Sequence, residues 1–141
     1  MAKSHIGAID ATIQKTNLIL EDIESGLGWL GERAHAYSAL RIVLHSLRDR
    51  LVLDSAVNFG AQLPMLVRGL YFEGWGHTKV PRKMSKEEFL DSVRKQLILP
   101  MDYDPRSVVR VVMNSLRTHL DPHEIEKIEN ILPKEFAEIL E

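Results

Sequence analysis

An all-α fold is what this sequence predicts, from three observations. Apolar residues recur at helical spacing, capping and breaking residues bracket those runs, and one stretch of chain repeats itself 69 residues later. No segment shows sustained two-residue alternation. Val108-Val109 and Val111-Val112 are β-branched, yet they sit inside a helical pattern.

The first predicted helix covers roughly 7–24. Ile6, Ile9, Ile13, Leu20, Ile23 and Leu27 fall on one face at gaps of three, four and seven, and Ser25-Gly26 with Gly28 supplies the stop. A second helix is expected over about 32–51, with Leu40, Leu44, Leu47 and Leu51 as its stripe and Val43 beside it. A third starts near Leu53 or Asp54, carries Ala56, Val57, Phe59 and Leu63, and breaks or kinks at Pro64, which removes an amide donor. Helical pattern resumes through Leu66, Val67 and Leu70. Gly74, Gly76 and Pro81 then mark a loop.

Ser85 with Glu88 three residues on reads as a capping box, opening a helix with Phe89, Val93 and Leu97 inward and Pro100 after it. Asp104-Pro105 and Asp121-Pro122 open two more by one chemistry, an N-cap carboxylate followed by proline in the first turn. Pro133 breaks the last.

Setting residues 36–72 against 105–141 without gaps gives identities at Ser38/Ser107, Arg41/Arg110, Val43/Val112, Ser46/Ser115, Leu47/Leu116, Arg48/Arg117, Leu51/Leu120, Leu63/Leu132 and Pro64/Pro133. Ordinary composition would give about two or three. At an offset of 70, Ile19, Ile23 and Leu27 meet Phe89, Val93 and Leu97. The expected architecture is therefore a tandem pseudo-duplicated helical bundle, two units of three to four helices. The first repeat takes residues 1–75, a linker 76–84 and the second repeat 85–141. Either unit alone is marginal in core size, so the two are expected to pack as one domain. Features shared by both copies serve the fold. Those found in the first copy alone, Gln62, Met65, Arg68, Gly69 and the aromatic tail Tyr71, Phe72 and Trp75, are the better place to look for function.

Composition narrows the classes. Apolar residues make up 45% and charged residues 27%, ordinary for a globular protein, and the net charge of −2 gives no global field toward nucleic acid or anionic lipid. The absence of cysteine removes disulfides, thiolate metal sites and a cysteine nucleophile. The N-terminus lacks the long apolar core of a signal peptide, and no apolar run approaches a membrane span. The expected location is cytoplasmic, with no membrane partner.

The run from Ala39 through Arg41, His45, Ser46 and Arg48 to Leu51, followed by Gln62-Leu63-Pro64, Arg68-Gly69-Leu70-Tyr71 and Gly74-Trp75, resembles the bacterial domain-of-unknown-function family numbered 2267. Thr16-Asn17 and Phe89 fit the same pattern. The resemblance spans most of the chain and implies a helical bacterial protein with no established activity. One departure is Val52, where the family often carries a threonine-like cap, leaving Asp54 and Ser55 to supply polar contacts.

Candidate chemistry is sparse. Arg41, His45 and Arg48 stand at i, i+4 and i+7 and form one stripe, either an anion pocket or a set of intrachain contacts with their stems over the core edge. Retention of both arginines in the other copy favours intrachain contacts. His119 and His123 are four apart, but Asp121-Pro122 starts a new helix between them, so no metal site or cofactor is expected. His45-Ser46 are neighbours whose side chains diverge on a helix, and no Gly-x-Ser-x-Gly elbow or phosphate-cradling glycine loop is present. Lys79, Arg82, Lys83 and Lys86 form a small basic cluster in and beside the linker.

The expected function is thus a non-catalytic module that binds a protein partner or itself through Arg68, Tyr71, Trp75, Arg41 and Arg48, since arginine and large aromatics dominate binding hot spots. The alternatives are nucleic-acid binding by the basic linker, and a ligand or enzymatic site between the repeats.

Overall fold

The computed structural model describes residues 3–76 and 83–140. The amphipathic pattern at the start forms α1 (Gly7–Leu27), which ends at Gly28 in the left-handed region at φ 70°. There the Trp29 amide donates to Glu24 O at 2.8 Å and closes the last turn. The stop expected at Ser25-Gly26 is overrun for a packing reason. A Cβ on Gly26 would stand 2.5 Å from Val111 Cγ1, so this glycine lets a neighbouring helix approach inside α1 itself. The buried Glu24 carboxylate accepts from the Gly31 amide at 3.0 Å and from Arg33 Nε, fixing the turn into α2 (Arg33–Arg50).

Helix α2 runs through the centre against α1, α4, α5 and α6, and its Leu40, Leu44, Leu47 and Leu51 are all buried. Then come α3 (Leu53–Ala61) and α4 (Met65–Phe72), separated by the Leu63-Pro64 break. The N-cap of α3 is Val52, whose side chain makes no cap hydrogen bond, and Asp54 lies in the first turn, where its charge suits the helix dipole. The second half comprises α5 (Lys86–Gln96), α6 (Pro105–His119), α7 (Pro122–Ile131), a 3-10 turn Lys134–Phe136 and a short α8 (Ala137–Leu140). Its three starts are capped as expected. Ser85 and Glu88 exchange both capping-box hydrogen bonds at 3.2 Å, and Asp104 and Asp121 accept from Arg106 N and His123 N. Helix α5 stops at Gln96, ahead of Pro100.

At the 69-residue offset, α2 ends where α6 ends, α3 begins where α7 begins, and α4 begins at the residue matching the start of the Lys134–Phe136 turn. The buried apolar residues of both halves belong to one cluster. Helix α1 lies chiefly along α6, and at their contact the buried Ser115 hydroxyl donates to Ile19 O at 2.9 Å. Tyr71 packs edge-to-face on Phe59, and Phe89 on Phe136, at 5.6 and 5.3 Å between centroids. Among the described residues no helix is long and apolar enough to cross a membrane. Residues 77–82, which include Lys79 and Arg82 of the basic cluster, lie outside the described residues.

The expected inward stripe of α1 is only half buried. Ile19, Leu20 and Ile23 are in the core, but Ile6 and Ile9 are exposed. Helix α1 spans 21 residues and α6 only 15, so its first turns overhang the bundle. There they lie beside α4 and Tyr37 of α2.

Candidate docking groove between α1 and α4

The residues singled out in sequence divide sharply once placed. The Arg41–His45–Arg48 stripe of α2 faces the C-terminal end of α4. The carbonyls of a helix's last turn lack helical partners, and here each finds one. His45 Nε2 lies 2.7 Å from Leu70 O, Arg48 Nη1 donates to Tyr71 O at 2.7 Å and to Glu73 O at 2.9 Å, and the Trp75 amide donates to Phe72 O at 3.3 Å. Arg41 Nε reaches Glu73 Oε1 at 3.3 Å. Two cations at the negative end of a helix dipole complete the arrangement. The stripe clamps α4 onto α2.

Two of the expected partner-binding residues are therefore interior. Tyr71 is 0% exposed and Arg48 4%. The Tyr71 hydroxyl donates to Ala56 O at 2.8 Å, and burial pushes its phenol well above the ordinary range. Arg68 turns back along α4 to donate to Leu63 O at 3.1 Å, and Trp75 is half-buried against Phe72. Arg41 stays partly exposed beside Glu73. The structure does not bring these five side chains together as one outward patch, because Tyr71 and Arg48 are buried and Arg68 folds back onto the Leu63 carbonyl.

His45 carries a pH dependence. Burial, reinforced by the Arg48 and Arg41 charges, lowers its pKa below 6.5, although the Leu70 carbonyl pulls the other way. The unfolded chain then binds this proton more readily than the folded one. Stability is complete above about pH 6.5, falls as pH drops through that value, and levels off below the depressed folded pKa. Urea unfolding at pH 8, 6 and 5 should show a shallower acid-side loss in His45→Gln than in the native chain; parallel curves would refute it.

The histidine pair also separates. His119 Nε2 lies 2.6 Å from Asp22 Oδ2, tying α6 to α1, while the His123 side chain projects into solvent. No group of three His, Asp or Glu suited to a metal gathers among the described residues.

What the first unit does present is a groove of about 710 Å³ between the overhang of α1 and the outer face of α4, with Tyr37 of α2 at one side. Ile9, Thr12, Ile13, Thr16 and Leu20 form one wall, and Met65, Leu66, Gly69 and Leu70 the other. The walls are pinned together where the Leu66 amide donates to Thr12 Oγ1 at 3.0 Å, supplying the α4 start with the cap that Pro64 lacks. Met65 is 56% and Leu66 49% exposed. Among the described residues Glu73 is the only charged one lining the groove, and Arg41 pairs with it.

Gly69 sits in this groove in a helical conformation. Nothing lies within 4 Å of the position its Cβ would occupy. A glycine inside a helix costs about 0.5–1 kcal/mol relative to alanine, and here no close neighbour and no positive φ offsets that. In the second unit, by contrast, the positions matching Met65, Leu66 and Gly69 are Lys134, Glu135 and Glu138. There Lys86 closes the face, its amide donating to Glu135 at 2.9 Å and its ammonium to Glu138 at 2.5 Å. One face carries an ion pair and a hydrogen bond to Lys86, the other is left apolar and open.

Sequence comparison of the two copies already isolates Met65 and Gly69. Leu66, Ile9 and Tyr37 escape it, because Leu66 and Ile9 read as core positions and Tyr37 stands alone. Treating Leu66 against Glu135 as an apolar-to-acidic difference, rather than as part of a helical stripe, would have found it.

No curated protein matches the chain. A family model described as uncharacterized conserved protein (DUF2267) matches residues 16–139. The matched segment contains α4 and begins at Thr16, within α1, so the overhang of α1 precedes it. With that extent matched, the chain belongs to the DUF2267 family.

Proposed function

We propose that this protein is a non-catalytic binding module whose α1–α4 groove receives an apolar helix face from a protein partner. Gly69 carries the reading. A helical glycine facing open space in one wall of an apolar groove weakens its own helix, and close approach of another chain supplies the compensation. The surrounding surface suits the same role, with Ile9, Met65 and Leu66 exposed along the groove. Arg48 and His45 serve this site indirectly, by holding α4 against α2.

The test exploits the absence of cysteine. Met65→Cys and, as control, Lys134→Cys each give one labelling site for a benzophenone photo-crosslinker. Adducts with protein partners should form at position 65 and be scarce at 134, and addition of Leu66→Lys should suppress them. Equal adduct yields at the two positions would remove the groove from consideration.

A further inference from the structure

We infer that His45 is a proton-operated latch on the C-terminal turn of α4, so that acid loosens one wall of the α1–α4 groove ahead of the rest of the bundle. The latch stands on its own geometry; its consequence for binding rests on the groove reading above.

The first support is the arrangement of charge. His45 is 7% exposed and lies between Arg41 and Arg48, about one turn to either side on α2. A carbonyl only accepts, so the Nε2 that lies 2.7 Å from Leu70 O carries the hydrogen of the neutral ring. An added proton then goes to Nδ1, which has no acceptor among the described residues. Both nearby carboxylates are already engaged, Asp49 by Arg48 at 3.1 Å and Glu73 by Arg41 at 3.3 Å. From α4 the cluster meets the Leu70 carbonyl and the Tyr71 phenol, which burial keeps neutral. Among the described residues α1, α5 and α6 add no charge that acts on His45. Protonation therefore sets a third cation beside two arginines with no carboxylate of its own. Burial, with those two guanidinium charges, outweighs the opposite pull of the Leu70 carbonyl and Asp49.

The second support is the hinge. Helix α4 has eight residues, set between the Pro64 break and Gly74, whose φ is 66°. Its outer side faces the groove, and the free carbonyls of its last turn are held from α2. The Tyr71 side chain, bonded to Ala56 O, stays as the anchor. Beyond it the turn is thin. The Glu73 amide donates to Gly69 O at 3.1 Å and the Trp75 amide to Phe72 O at 3.3 Å. Leu70 and Glu73 belong both to the latch and to the groove lining.

Linkage gives the sign. In the opened turn His45 titrates near 6.5, and in the closed turn below it. Opening therefore grows as pH falls through 6.5 and levels off below the closed-state value. A groove occupant that touches Leu70 and Glu73 selects the closed turn, so acid weakens its binding.

Amide hydrogen exchange on the full chain, from about pH 7.5 to about pH 5 and corrected for intrinsic rates, tests this. The Glu73 and Trp75 amides should be less protected than those of the buried Ile23 and Val112, and insensitive to low urea. Their protection should fall at least about threefold toward the acid end. His45→Gln, whose amide can still donate to Leu70 O, should abolish that acid loss. Arg41→Gln, at a partly exposed position, removes one cation and should shrink it, which keeps the test open if position 45 tolerates no change. Equal protection of turn and core overturns the inference, as does a turn indifferent to pH or an acid loss that both variants leave intact. Adducts at position 65 should thin over the same pH range, and flat yields would remove the consequence for binding. If the exchange effect appears and no adducts form at any pH, the latch stands and the groove reading falls. If adducts form and the exchange effect is absent, the reverse holds.

Discussion

Replacing Arg48 with methionine is expected to lower the unfolding free energy by about 3 kcal/mol, whereas the same change at Arg117 costs about 1 kcal/mol. The two arginines occupy matching places in the two units, so the contrast isolates environment from residue type. The Arg48 side chain is 5% exposed, and its Nη1 serves two carbonyls, Tyr71 O at 2.7 Å and Glu73 O at 2.9 Å. Methionine retains much of the stem's packing but leaves the buried Tyr71 carbonyl, and the partly buried Glu73 carbonyl beside it, without that donor. Arg117 is 31% exposed, and its ion pair with Glu129 is open enough for water to take over. Arg48→Lys should recover only part of the loss, since a lone ammonium has no second nitrogen to reach Asp49 while it serves the two carbonyls. Urea denaturation with an unchanged m-value is the measurement. Equal losses at 48 and 117 would show that the clamp on α4 does not matter to the fold.

That contrast also shows what the sequence made legible. Repetition of Arg41 and Arg48 in the second copy points to structural arginines, and Arg48 is one. Caps at Ser85, Asp104 and Asp121 locate three helix starts, because each signal lies within four residues and needs no tertiary context. Leucines 40, 44, 47 and 51 are buried because their spacing gives them a single face and α2 lies in the middle of the bundle.

Where the reading fell short, the missing information was long-range. Whether an apolar α1 residue is core depends on how far the neighbouring helix extends, and α6 stops short of Ile9 and Ile6. Gly26 reads as a helix terminator unless Val111, far along the chain, is known to press against it. Tyr71 and Trp75 look alike in sequence as aromatics of one tail, yet four residues and a helix end send one into the core and leave the other at its edge. His45 Nε2 and Leu70 O are brought together only by packing α4 on α2. Met65 and Gly69 were visible as differences between copies, but the groove they line also needs α1, whose overhang has no described counterpart in the second unit.

The helical glycines of α3 and α4, Gly60 and Gly69, should respond to substitution with opposite signs. At Gly60 in α3, a Cβ would stand 2.3 Å from Phe72 Cζ and 2.8 Å from Tyr71 Cε2. The Phe72 ring is only half-buried and can yield. Tyr71 cannot, because its hydroxyl is tied to Ala56 and its ring is packed on Phe59. Gly60→Val is therefore expected to lose about 3 kcal/mol through overpacking, with α4 displaced and the near-ultraviolet aromatic signal reduced. Gly60→Ala loses less, since the helix regains up to about 1 kcal/mol of propensity. Pairing it with Phe72→Leu should recover part of the remainder, the non-additivity of neighbours in contact. At Gly69 nothing stands in the way, so Gly69→Ala should raise monomer stability by about 0.5–1 kcal/mol while weakening whatever enters the groove. A residue whose replacement stabilises the monomer and impairs association is one kept for the contact it permits. If Gly69→Ala destabilised the isolated chain as Gly60→Val does, the glycine would have a place in the fold, and the groove would lose its main support.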